Sequence, residues 1–477
     1  MEREAIVAIA AQGPDAVVAL VEALIVRYEG EIAALRARVQ ALEDQVAKDS
    51  HNSHQPPSRD RPTPRTTSLR QASGRKPGGQ PGHPGTTLAW SATPETVVVH
   101  RATTCAACGA ALDEAPVVGQ RQRQVVDLPA PRLVTTAHVV AVQQCVVCGQ
   151  VTAGTFPPDA RAPVSYGPRL QRVALYLHRY HLLPSARTAE LLADLFGCSF
   201  SAGTLAQLVA RCDTTLAATE GAIQQAVQRA AVAHFDETGL RVAGQPHWLH
   251  VASTAQLTHY AVARQRGVAG MQAAGVLPDF TGVAVHDGLH AYGTFACQHA
   301  LCNAHHLREL TFVAERYQQG WAGELKRLLG EMQAAVATAR AAGQTQVIPA
   351  VLADYLTRYR TLVETGGTAN PPAAKPPGQP GPAKRSPPGK LADWLERHEA
   401  EALRFLHDLR VPFDNNLAER DIRMVKLQQK IAGCFRTTVG ADQFCRLRGY
   451  LSTARKQGHA PLAALEAVCR GQPLVLT

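Results

Sequence analysis

Between residues 25 and 46 apolar side chains recur at alternating steps of three and four: Ile25, Tyr28, Ile32, Leu35, Val39, Leu42 and Val46. That is the a/d seam of a short coiled coil, with Glu31, Arg36, Arg38 and Glu43 on its flanks. About three heptads are marginal alone, so a dimer contact here needs help from elsewhere. The pattern then stops. From Ser50 to Gly85 proline, glycine and serine dominate and basic residues outnumber acidic ones, as in a flexible linker that buries no core. Helical spacing returns from Tyr166 to about Ala230. Within it, "SARTAELLADLFGCSFSAGTLAQLVARC" reads as a helix, a tight turn at Gly197-Cys198 and a second helix from near Ser201, an arrangement like a helix-turn-helix.

At Ala231 the period changes. "AVAHFDETGLRVAG", "HWLHVAS" and "THYAVAR" read as three consecutive strands. A short helical segment follows, then the apolar strand "GVAVHDG" ending at Asp287, then a helix from His305 towards Glu315 and more helices to Glu364. A proline-rich run, "TGGTANPPAAKPPGQPGPAKRSPPGK", reads as a surface loop. From Leu391 to Thr477 the spacing is helical again. In "FDNNLAERDIRMVKLQQK" either Asp414 or Asn415 suits the helix cap. Asn415, Glu419, Arg423, Lys426 and Lys430 fall along one face; Leu417, Met424 and Ile431, widened by Ile422 and Val425, form the apolar stripe.

Composition narrows the function. A chain of 477 residues with a net charge of +10 fits about three domains and a polyanionic partner. No uncharged run is long enough to span a bilayer, and the N-terminus carries acids through its apolar part, unlike a secretory signal. A cytoplasmic location is expected. Of 11 cysteines, four form "CAACG" (Cys105, Cys108) and "CVVCG" (Cys145, Cys148). Two such knuckles supply four thiolates to a tetrahedral, structural Zn²⁺, and the β-rich runs "RQVVDLP" and "RLVTTAHVVAVQQC" between them suit a zinc ribbon.

Three strands, a helix, a strand ending in Asp and an acid on a much later helix is the order of a ribonuclease-H-like fold. Asp236, with Glu237 beside it, and Asp287 are the strand-borne acids. Glu419 lies on the polar face of its helix among cations suited to phosphates. Carboxylates of this kind hold Mg²⁺, which assists in-line displacement at a phosphodiester. Taken singly, Asp236 and Asp287 could be turn or cap residues.

"HFDETGLRV", "VHDGLHAYG", "LCNAHHLREL" and "DNNLAERDIRMVKLQQKIAGCFRT" together resemble the insertion sequence sixty-six (TnpC-type) DDE transposases. The resemblance extends to the coil, "NSHQPPSRD", "GRKPGGQPGHPG" and the knuckles. It implies a catalytic, metal-binding triad of Asp236, Asp287 and Glu419 holding Mg²⁺ (or Mn²⁺), and a site-shaping element at Cys302 and His305. Asn415, Asn416, Arg420, Arg423, Lys426, Lys430 and Arg436 are the candidate DNA contacts. The implied organisation is multidomain α+β: a coiled coil at 1–49, a linker at 50–100, a zinc ribbon at 101–160 and a helix-turn-helix-like region at 161–230. A ribonuclease-H-like core at 231–310 resumes at 391–477 after a helical insertion at 311–390. The implied activity is cleavage of double-stranded DNA at terminal inverted repeats, freeing 3′-OH ends, and their transfer to target DNA. The chain would act as a homo-oligomer, with accessory transposition proteins, on a bacterial nucleoid. The alternatives are a ribonuclease-H-like nuclease that stops at hydrolysis, and a non-catalytic DNA-binding regulator.

Overall fold

The computed structural model describes residues 3–49, 51–53, 82, 85, 87–160, 162–373 and 383–476. Most of the expected linker, including nearly all of "NSHQPPSRD" and "GRKPGGQPGHPG", lies outside them, as does the middle of the proline-rich run. The chain divides into two compact units. One holds residues 1–62, 137–194 and 198–477; the other holds 63–136 and 195–197.

The second unit carries little regular structure among its described residues. "RQVVDLP", expected as a strand, pairs with no neighbouring strand among the described residues, and Val125, Val126 and Leu128 are exposed. β-branched residues make a strand only when a neighbouring strand accepts their backbone hydrogen bonds.

In the larger unit the chain begins with α1 (Arg3–Ala10) and α2 (Pro14–Ala47). A small hairpin, β1 (Val142–Gln144) with β2 (Val151–Ala153), is all of the expected "RLVTTAHVVAVQQC" strand that pairs. Next come α3 (Pro168–Leu175), which continues as a π-helical turn at Tyr176–Tyr180, then α4 (Ser185–Phe196) and α5 (Ala202–Gln228). Ser201 caps α5 by accepting from the Thr204 amide, near where the second helix was expected to begin. This helix is longer than a recognition helix needs to be. Its Leu205, Leu208, Val209, Cys212, Leu216, Ile223 and Val227 are buried.

The centre is a five-stranded sheet in the order β5-β4-β3-β6-β7. Its first three strands are an antiparallel meander: β3 (Val232–Val242), β4 (Gln245–Ser253) and β5 (Thr258–Ala263). Ala243 and Gly244 join β3 to β4 with φ of 50° and 77°. Both being positive, they make the tight hairpin turn that matches the twist of the strands. After α6 (Val268–Ala273), β6 (Val283–His286) lies parallel to β3, and β7 (Gln298–Leu301) lies parallel to β6. β7 was not legible from sequence, since four residues reading "QHAL" carry no alternation.

Two helical cores pack along one face of the sheet, the face that carries Val283, Val285, Leu240 and Val242. α7 (Asn303–Arg316), α8 (Gly320–Ala341), α9 (Pro349–Ala369) and α10 (Pro387–Arg397) build one core with β6 and β7. α10 starts inside the stretch expected to be a loop. Ser386 caps it, accepting from the Gly389 amide, and Pro387 opens its first turn, where the missing N–H costs nothing. Two short turns, α11 (Glu399–Ala402) and α12 (Arg404–His407), lead to α13 (Asn416–Ala432), α14 (Thr438–Lys456) and α15 (Pro461–Cys469). α13 and α14 close a second core over β3, β4 and β5, through Leu240, Val242, Leu249, Val251 and Tyr260. No described helix is long and apolar enough to cross a membrane.

Candidate active site

Side chains alternate along β3, and the alternation separates two neighbouring acids. Asp236 shares a face with Leu240 and Val242, the face that α13 covers; Glu237 points the other way. Parallel register then fixes the second acid. His234 pairs with Val285, so Asp236 and Asp287, each two residues further on, come abreast. Asp287 closes β6 in a turn whose Leu289 amide donates to its Oδ1 (2.9 Å), and Gly288 takes the positive φ of 90° needed there.

The third acid is brought in by a clamp. Asn415 is buried, and every polar part of it is used. Its side-chain amide donates to the Phe235 carbonyl (2.8 Å), its Oδ1 pairs with His234 Nδ1 (2.9 Å), and its backbone N–H donates to Cys302 Sγ (3.1 Å). It therefore ties the start of α13 to the strand segment just before Asp236 and to the residue that opens α7. Asn415 was expected to contact DNA; its burial and its three internal bonds exclude that. Cys302, expected to shape the site, accepts that bond, its thiol pushed up to about 12 by burial.

One turn into α13 stands Glu419. Its Oε1 is buried without a hydrogen-bond partner among the described residues, and His305 Nε2 is 3.7 Å away. Asp414 caps the turn by accepting from the Asn416 amide (3.0 Å). Asp421 faces away into a polar knot, accepting from Ser253 Oγ (2.5 Å) and Lys456 Nζ (2.9 Å). Of the three acids on this stretch, one faces Asp236 and two hold the helix in place.

The acids act on one another. Burial first, then Glu237, with Asp287 and Glu419 adding to it, raise the Asp236 carboxyl well above the ordinary carboxylate range. Among the described residues, no group of three or more His, Cys, Asp or Glu side chains is drawn in closely enough to form a metal cage. The triad thus stands at electrostatic range. Glu237 is neutralised: Arg266 Nε (2.9 Å) and Nη2 (2.8 Å) reach its Oε1, and Tyr292 donates to its Oε2 (2.6 Å). Arg266 and Tyr292 were missed in the sequence, because only the sheet brings residues so far apart in the chain together.

The other expected DNA contacts line the outer face of α13. Asn416, Arg420, Arg423 and Lys430 are exposed, as is Arg436 beyond its end. Lys426 is exposed too, but its ammonium donates to the Gly239 carbonyl (3.0 Å) on the Asp236 strand. The apolar stripe is Ala418, Ile422 and Val425, with Met424 at its edge; Ile431, expected within it, is turned outward.

Each cysteine knuckle has its own complete turn. Cys105 N–H donates to Ala110 O (2.8 Å) and Gly109 N–H to Cys105 O (2.9 Å); Cys145, Gln150 and Gly149 repeat both distances. Gly109 and Gly149 share a φ of 74°. Hydrogen bonds from the backbone of Cys108 and Ala107 lower the Cys105 thiol, and those of Cys148 and Val147 do the same for Cys145.

No curated protein matches the chain. The model of a family of unknown function matches residues 10–89. The model of the transposase IS66 family matches residues 163–443, which takes in the whole sheet, the clamp and all three acids. The chain belongs to the IS66 transposase family.

Proposed function

We propose that this transposase uses Asp236, Asp287 and Glu419 as a DDE triad on a ribonuclease-H-like fold, cleaving DNA at the ends of its element and joining the freed 3′-OH to target DNA. One observation carries the reading: Asp287 and Glu419 lie within electrostatic range of Asp236, and Glu419 keeps a buried oxygen without a hydrogen-bond partner among the described residues. The sheet order, with β6 and β7 parallel to β3 and the meander beyond it, supports the fold assignment.

The donor set fits a hard divalent cation. All three groups are carboxylates, as Mg²⁺ or Mn²⁺ prefers. Burial, then repulsion from Glu237, Asp287 and Glu419, raises Asp236, and a cation held among the carboxylates would oppose that. When bound, such a cation supplies activation of the attacking oxygen and stabilisation of the leaving one. The protein's own residues do the rest. Asn415 sets the distance between the Asp236 strand and the Glu419 helix, and His305 borders Glu419. Arg420, Arg423, Lys430 and Arg436 present charge to the DNA backbone, an attraction that falls steeply with salt. In cleavage, water replaces the 3′-oxygen at phosphorus; in joining, that 3′-hydroxyl replaces a target oxygen, so one P–O bond is exchanged for another.

The cysteine knuckles belong to the same reading. Structural Zn²⁺ on Cys105, Cys108, Cys145 and Cys148 rests on the doubled CxxCG pattern and each knuckle's own turn, and metal analysis of purified protein tests it. The test of the whole is strand transfer. Full-length protein with pre-cleaved element ends is expected to give joined product in Mg²⁺ and none in chelator. Cleavage without any joined product would reduce the protein to a nuclease.

A further inference from the structure

On the far side of Asp287 from α13 lies a cation that the triad does not use. Arg266 sits in the short turn between β5 and α6. That turn is held on two sides: His250 Nε2 lies 3.2 Å from the Gln265 carbonyl, and α6 presses on the same carbonyl at Gly270, where a Cβ would come within 1.9 Å. The side chain is fixed as well. Nε and Nη2 both engage Oε1 of Glu237, whose own side chain is 0% exposed, and the guanidinium lies over the Trp248 indole at 5.1 Å.

This is more anchoring than an ion pair needs, and it leaves the outer edge of the guanidinium free. The Arg266 side chain is 43% exposed, and Nη1 has no hydrogen-bond partner among the described residues. Nη2 stands 3.9 Å from Asp287 Oδ2, too far for a hydrogen bond and near enough to share an anion with whatever Asp287 holds. A planar guanidinium with its inner edge on a buried carboxylate and its face on an indole presents its remaining N–H groups in one direction. Phosphate is the group such a fork recognises best.

We propose that Arg266 is a phosphate-binding residue of the active site: fixed by Glu237 and Trp248, it holds a phosphate of the DNA strand beside the one that reacts at Asp287. The inference rests on the DDE reading for what happens at Asp287, and on the geometry of the turn for the contact itself.

Two readouts test it, with duplex DNA carrying the element's ends as the probe. Binding is measured in Ca²⁺ over a range of salt, and cleavage in Mg²⁺. Arg266→Ala is expected to make the salt dependence of binding shallower by about one phosphate contact and to lower kcat/KM for cleavage about 100-fold. Arg266→Lys is expected to restore the salt dependence and only part of the rate, because an ammonium lacks the planar fork. The double variant Glu237→Gln/Arg266→Ala removes the unpaired buried carboxylate, so it is expected to recover thermal stability while both DNA readouts stay low. The proposal is overturned if the double variant regains wild-type cleavage and salt dependence, or if Arg266→Ala alone keeps both. If wild-type protein binds the duplex but does not cleave it in Mg²⁺, the DDE reading fails, and the salt dependence still decides the role of Arg266.

Discussion

Helix α2 carries its apolar repeat into solvent, whereas α13 buries its own. On α2 the seam from Ile25 to Val46 is exposed at every position, and side-chain bonds tie the helix down near its end. There Asp44 accepts from Tyr317 and from Arg316 Nε (3.3 Å), and Glu43 pairs with Arg316 Nη2 (2.7 Å). On α13 the stripe Ala418, Ile422 and Val425 lies against β3 and β4, and polar side chains lock the helix at both sides of that stripe. Periodicity tells which residues share a face. What covers the face is decided elsewhere in the chain, or by another molecule. The consequence is functional: a helix buried on one side and clamped at its start holds Glu419 still, while a helix with an open seam is suited to pairing.

The largest effect is expected where α13 meets the sheet. Val425→Asp puts a charge into a closed apolar contact and should cost several kcal/mol, seen as loss of the cooperative thermal transition. Leu35→Asp on α2 should leave that transition in place, and equal losses from both would erase the contrast. Next comes the clamp. Asn415→Ala leaves the His234 ring and the Phe235 carbonyl without buried partners, so about 2–4 kcal/mol of stability should go, with cleavage falling further than binding.

Asp236 should behave in the opposite sense. Its folded carboxyl is raised by burial and by its acidic neighbours, so protonation favours the folded state. That contribution is complete below the unfolded pKa and disappears as pH rises through the higher folded value. Asp236→Asn should therefore raise the melting temperature at neutral pH in chelator and flatten its decline with pH, whereas a drop at neutral pH would contradict the electrostatic account. Smaller still, Leu35→Glu with Val39→Glu should lower the mass measured by light scattering without shifting that melting temperature. Smallest is Ile431→Ala, outside the buried stripe, expected within about 0.5 kcal/mol of wild type by denaturant unfolding.

Much of this was legible in the sequence. The three-strand meander and the strand leading to Asp287 follow from period and position alone; the single polar face expected of α13 does not hold throughout, since Asn415 is buried and Glu419 half-buried. That Asp414 or Asn415 stands at the start of α13 was also readable. What was not legible depends on contacts distant in sequence. Asn415 reads as one more polar residue beside a cationic helix until His234, Phe235 and Cys302 are seen around it. Arg266 has no motif at all, and its meaning comes from Glu237, Trp248 and Asp287 converging through the sheet. The α10 start at Pro387 was obscured for a different reason, since a proline-rich composition masks the one place where proline favours a helix.

The most direct measurement is cleavage of end-bearing duplex DNA by full-length protein in Mg²⁺, with wild type, Asp236→Asn, Asp287→Asn and Glu419→Gln compared at equal DNA occupancy. The triad account requires each variant to bind the duplex and to lose cleavage by about 1,000-fold or more. Cleavage at the wild-type rate by any of the three, with binding intact, would contradict it.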